Sequence, residues 1–237
     1  MCATCGCGDS SHHHKNERKI VDVEKDVLYE NNLLAERNRG YLEAKNIFAM
    51  NLVSSPGSGK TTLLERTLTD LKEQYAFAVI EGDQQTTNDA DRIHATGTKV
   101  TQINTGKGCH LDAHMVLHAM QGMKLQDHSV LFIENVGNLV CPAMFDLGEK
   151  ERIVIISVTE GDDKPLKYPD MFNSSTLCII NKTDLLPYVP FNIEKAKANA
   201  RKVNPSLSII ELSCTSGQGL NEWYDWIHSK VSADIIV

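Results

Sequence analysis

The run Ser54-Ser55-Pro56-Gly57-Ser58-Gly59-Lys60-Thr61-Thr62 limits what this chain can fold into more than any other feature. It follows an apolar stretch that reads as a buried strand (47–53) and opens a helical pattern (60–74), so a Gly-rich loop joins a strand to a helix. Glycine reaches positive φ without a Cβ clash, which lets successive backbone N–H groups turn inward. The helix start adds its positive dipole end. Such a loop cradles phosphate. Gly57, Ser58 and Gly59 shape the turn, Lys60 reaches the β- and γ-phosphates, and Thr61, followed by Thr62, offers a hydroxyl to Mg2+. The usual pattern begins with Gly where this chain has Ser54. That departure is mild, because the tight turns depend mainly on Gly57 and Gly59; the bland alternative is a Gly-rich turn without ligand.

Strand and helix patterns alternate beyond the loop. Strands are expected over 76–81, 99–103, 130–134, 153–158, 176–181 and 207–212, and helices over 89–95, 111–120, 192–203 and 220–232. The alternation predicts a three-layer α/β/α P-loop NTPase with a mostly parallel central sheet, covered on both faces, whose ligands sit at the carboxyl ends of the strands. This domain is expected over 46–237. A helix over 18–45 with an apolar face precedes it, and residues 1–17, polar and rich in Cys, Gly, Ser and His, read as a flexible metal-binding tail.

Acidic residues at strand ends complete the phosphate chemistry. Asp83 follows the strand 76–81, and Glu134 ends the strand 130–134 with Gly137 three residues on. Carboxylates there hold Mg2+ with Thr61, and Gly137 can donate its N–H to a γ-phosphate. Lys60, Asp83 and Glu134 are therefore the catalytic candidates, with Asp83 orienting the attacking water; a solvated loop acid is the alternative for either carboxylate. Asn181-Lys182-Thr183-Asp184, after another apolar strand, selects the base. Asp184 accepts from the N1 and N2 donors of guanine, a pair that adenine lacks. Lys182 lies along the base, and Ser213, Cys214 and Thr215 form the loop whose backbone meets guanine O6. Three motifs in this order point to GTP and GDP.

The thiols need a separate explanation. The N-terminus lacks a signal-peptide layout and no apolar run spans a bilayer, so a cytoplasmic protein is expected, where seven cysteines read first as metal ligands. The net charge of -7 argues against nucleic acid or an anionic membrane as partner. Cys109 and His110, with Cys141 shortly after Glu134, suit Ni2+ or Zn2+. His114 and His118 follow at helical spacing, so His110, His114 and His118 are expected on one face, with His114 as a further ligand. Cys2, Cys5 and Cys7 offer three soft ligands within a few residues, in one plane for Ni2+ or tetrahedrally for Zn2+. A buried Cys and a few surface His are the alternative.

Together these motifs resemble the HypB family of hydrogenase nickel-incorporation GTPases, of the SIMIBI class. The resemblance rests on the phosphate loop, on the run from Glu81 to Asp89, on Gly106-Lys107-Gly108-Cys109-His110-Leu111-Asp112, on Glu134 to Pro142, and on Asn181 to Asp184. It implies a GTPase that forms a homodimer when GTP-bound, a regulatory metal site at Cys109, His110 and Cys141, and nickel delivery with HypA to the large subunit of [NiFe]-hydrogenase. It also implies that Lys164 or Lys167 contacts the guanine of the neighbouring subunit. A urease-type nickel GTPase is the nearest rival, but here Cys141-Pro142 is followed by Ala143 rather than His. A cobalamin-type GTPase and a passive nickel or zinc buffering protein are more distant alternatives.

Overall fold

The computed structural model describes residues 10–84 and 87–235. Seven strands form one sheet, β1 (Phe48–Ser54), β2 (Phe77–Asp83), β3 (Lys99–Asn104), β4 (Val130–Glu134), β5 (Glu151–Ser157), β6 (Leu177–Asn181) and β7 (Ser208–Glu211). Their order is β3-β2-β4-β1-β5-β6-β7, and every pairing among the described residues is parallel. The sheet expected to be mostly parallel is thus parallel throughout. Strands β1, β4, β5 and β6 are buried along their whole length, which is why they read as apolar runs rather than alternating ones. Edge strand β3 is half exposed and correspondingly polar.

Helices cover the sheet: α1 (Ser10–Ala44), α2 (Lys60–Leu71), α3 (Asn88–Ala95), α4 (Ala113–Met123), α5 (Lys164–Lys167), α6 (Pro169–Asn173), α7 (Ile193–Val203) and α8 (Leu220–Ile235). Helix α8 lays the fully buried Trp223 against α2. Its indole N–H donates to Thr67 Oγ1 at 2.8 Å. Left unpaired, that buried donor would cost about 1–3 kcal/mol, much of what burying the ring contributes. Among the described residues no helix is long and apolar enough to cross a membrane.

Two boundaries differ from expectation. Helix α1 begins at Ser10, inside the stretch expected as tail, and α4 begins at Ala113, two residues later than expected, so His110 stands further outside the helix. The buried side of α1 then fixes the start of α4. Asn31 Oδ1 accepts the Ala113 N–H at 2.9 Å, while the Asn38 amide donates to the carbonyls of Ala113 and Leu147. Asp112 caps α4 by accepting the Met115 N–H.

Candidate functional site

The phosphate loop leaves β1 at the centre of the sheet, where the chain order changes direction. Gly57 and Gly59 take φ of 74° and 94°. At Gly59 a Cβ would also stand 2.5 Å from Asn181 Nδ2, so conformation and space both demand glycine. Gly59 caps α2 without a side-chain bond, which leaves the first N–H groups of that helix for an anion. The loop borders a cavity of about 520 Å3, with Asp83, Arg92 and Gly137 among its other walls.

Lys60, Thr61 and Glu134 meet there. Lys60 Nζ donates to Glu134 Oε1 at 2.7 Å, and Thr61 Oγ1 donates to the same oxygen at 2.6 Å. Glu134 Oε2 is buried with no partner among the described residues, and so is Glu81 Oε2. Oxygen donors from Thr61, Asp83 and Glu134 fit a hard divalent cation, and an unsatisfied buried carboxylate oxygen is what such an ion would answer. Burial, reinforced by the negative charges of Glu134 and Asp83, pushes the Glu81 carboxyl up to about 8. Gly137 lies against the phosphate loop, since a Cβ on it would come within 3.2 Å of Pro56 Cα.

The base motif is bonded to the same loop. Asn181 Nδ2 donates to the Ser58 carbonyl at 2.9 Å, and Lys182 Nζ donates to the Gly57 carbonyl at 2.7 Å. A neighbouring cavity of about 280 Å3 is lined by Thr62, Asn181, Lys182, Asp184, Cys214 and Thr215, with Gly59 and Leu185. Ser213 Oγ donates to Asp184 Oδ1 at 2.6 Å, which orients the carboxylate. Cys214 is buried, its thiol pushed up to about 11 by desolvation, so it acts as a small wall residue. Lys164 Nζ is held by Glu160 at 3.0 Å and by Ser55 Oγ at 3.3 Å, beside its own phosphate loop, whereas Lys167 pairs with Asp163 toward solvent.

Cys109, His110 and Cys141 converge, their ligand atoms all within 4.8 Å of one another. The two sulfurs are 2.8 Å apart, and Cys109 Sγ is 3.7 Å from His110 Nδ1. His110 stacks on Phe145 at 3.9 Å between ring centroids. The Cys141 side chain and burial raise the Cys109 thiol, and burial lowers His110, so the resting site holds thiol and neutral imidazole. A metal there must displace protons. His114 is not in this group. It projects from α4 to meet His118, Nε2 to Nε2 at 3.0 Å, because the helix starts after His110 and carries the later two imidazoles to its exposed side. Cys2, Cys5 and Cys7 lie outside the described residues.

The metal group and the phosphate cavity share walls. Asn138 Nδ2 donates to the Cys109 carbonyl at 3.2 Å, the Leu111 N–H donates to Asn135 Oδ1 at 3.1 Å, and Gln84 Nε2 donates to the Gly108 carbonyl at 3.2 Å. Leu111 fills the space beside Gly82, where a Cβ would stand 2.8 Å from it. Sequence reasoning missed these amides, and it missed Arg92, whose guanidinium binds Glu65, Asp89 and Thr62 at the cavity rim. Nothing in the sequence marks Arg92. Glu81 carried a signal: a carboxylate inside an otherwise apolar strand.

Comparison with known proteins follows the same line. The model of the CobW/HypB/UreG nucleotide-binding domain matches residues 48–211. The hydrogenase maturation factor HypB of Escherichia coli (strain K12) is 56% identical over 227 residues, covering 95% of this chain and 78% of its own length. The crystal structure of HypB from Archaeoglobus fulgidus superimposes with a TM-score of 0.80 at 42% identity, covering 86% of this chain and 99% of that one. HypB from Helicobacter pylori, solved in complex with nickel, gives 0.82 at 39%, covering 86% and 96%. With the family model running from β1 to β7 and relatives at these identities, the chain belongs to the hydrogenase maturation factors HypB of the CobW/HypB/UreG nucleotide-binding family.

Proposed function

We propose that the chain is a GTP-hydrolysing nickel metallochaperone that assists nickel insertion into the large subunit of [NiFe]-hydrogenase, with HypA as partner. The observation that carries this reading is the hydrogen bond from Asn138 to the Cys109 carbonyl, because it ties the loop after Glu134 to the metal group. Guanine is selected by Asp184, oriented by Ser213, beside Lys182. Thr61, Asp83 and Glu134 would hold Mg2+, which neutralises charge on the phosphates when bound. Lys60 and the loop amides stabilise the transferring phosphoryl group, and Asp83 orients the attacking water. Arg92 is engaged by Glu65 and Asp89, so intrinsic turnover is slow and suits a switch.

Nickel is the cargo at Cys109, His110 and Cys141, and zinc competes for the same donors. Two chains associate face to face when GTP is bound, and Lys164 or Lys167 reaches the guanine of the neighbouring subunit; loss of the γ-phosphate contacts loosens the 134–141 loop and shifts Cys141 relative to Cys109. The test is turnover of GTP against ATP by the purified chain, with nickel transfer to apo large subunit measured in the presence and absence of GTP. Preference for GTP and nucleotide-dependent transfer support the proposal; preference for ATP, or transfer indifferent to nucleotide, defeats it.

A further inference from the structure

Besides Asp89, which pairs with Arg92, the phosphate cavity has one lining carboxylate that the chemistry above does not use. Glu81 and Glu134 are register partners on parallel strands β2 and β4. Adjacent strands lie about 4.8 Å apart and residues at matched positions point to the same face, so the two carboxyls share one side of the sheet. Glu134 Oε1 already receives both Lys60 and Thr61. Glu81 is 2% exposed, borders the phosphate cavity, and has its Oε2 unpartnered among the described residues. A buried carboxylate without a counter-charge destabilises a fold. A hydrated divalent cation would answer the open Glu81 oxygen, directly or through one of its waters.

We propose that Glu81 is a further carboxylate of the magnesium site and makes nucleotide binding conditional on the cation. The inference rests on the GTP and magnesium reading above. Without the cation, Glu81 and Glu134 crowd one side of the cavity and give the phosphates no partner; with it, Glu81 would help Thr61, Asp83 and Glu134 to hold the ion beside them. By linkage, cation and nucleotide then tighten each other's binding by a larger factor than Thr61, Asp83 and Glu134 alone would give.

The experiment measures affinity and not turnover. A fluorescent GDP analogue is titrated into the full-length chain, as wild type, Glu81→Gln and Glu81→Ala, with EDTA and with saturating Mg2+, and thermal unfolding is recorded for each. In EDTA the variants bind as tightly as wild type or more tightly. The factor by which Mg2+ tightens binding shrinks roughly tenfold. Thermal midpoints stay level or rise, because the carboxyl with an unpartnered buried oxygen has been replaced. An unchanged magnesium factor overturns the proposal and leaves the GTP reading intact. A fall in thermal midpoint, or failure of both variants to fold, marks Glu81 as structural and overturns it too. If wild type does not bind the guanine nucleotide at all, both readings fall.

Discussion

The phosphate loop and the Cys109 group are built on opposite terms. The loop is determined on every side: two glycines at positive φ, Asn181 and Lys182 bonded to its carbonyls, and Glu134 clamping Lys60 and Thr61. The Cys109 group has three half-exposed candidate donors, two from the loop before α4 and Cys141 from the 3-10 turn after β4, and the two segments are joined through side-chain amides. A loop clamped by the ends of three strands has little freedom to move. A site shared between two loops has an arrangement that either loop can change, and one of those loops follows directly from the phosphate cavity. The difference teaches where change would enter under the proposed function: the nucleotide end is set by many contacts, and the Cys109 group is the end free to respond.

Gly59→Ala should do most damage to the rigid end. Positive φ and a 2.5 Å approach to Asn181 together force the loop open. Strain of up to about 3 kcal/mol corresponds to a loss of nucleotide affinity of roughly two orders of magnitude, measured by calorimetry. Nucleotide binding close to wild type would show the loop to be less determined than described. Asp184→Asn should lower affinity for GDP by about a hundredfold and raise affinity for xanthosine diphosphate, because the amide no longer accepts both guanine donors. An equal loss for both nucleotides would point to collapse of the pocket instead.

The responsive end breaks differently. Cys141→Ala should abolish the nickel event at the inner group while leaving nucleotide affinity in nickel-free buffer unchanged. In wild type, that event should strengthen as pH rises from about 6 to about 8, since Cys109, whose pKa is raised, must lose its proton, whereas His110, whose pKa is lowered, is already neutral. A pH-independent nickel affinity contradicts thiolate ligation. The smallest effect is the sharpest. Asn138→Ala keeps every metal and nucleotide ligand and removes one bond between the two sites, so it should reduce the effect of GTP on nickel affinity about fivefold without altering either affinity alone.

Much of the rigid end was legible in the residues. All seven strands were expected near their observed places, since doubly buried strands produce short apolar runs, and the phosphate and base motifs follow strand ends by rule. The responsive end was legible only in its ligands. Cys109, His110 and Cys141 lie together, but helical spacing placed His114 with His110, and only the start of α4 at Ala113 separates them. That start is marked locally by the Asp112 cap and held from a distance by Asn31 of α1, a contact across 82 residues. Helix α1 likewise begins at Ser10, where a composition rich in Ser and His reads as tail. Asn135, Asn138 and Gln84 were invisible for the same reason: an amide's role depends on the loop brought against it.

The central claim is that nucleotide and nickel read each other through those amides. It is tested most directly by titrating nickel into the full-length chain with GDP and with a non-hydrolysable GTP analogue, following the inner thiolate absorption. The account predicts that the nickel affinity of the Cys109 group differs between the two nucleotides by at least about fivefold, with nickel changing the relative nucleotide affinity by the same factor. Superimposable nickel isotherms in the two nucleotide states would contradict it.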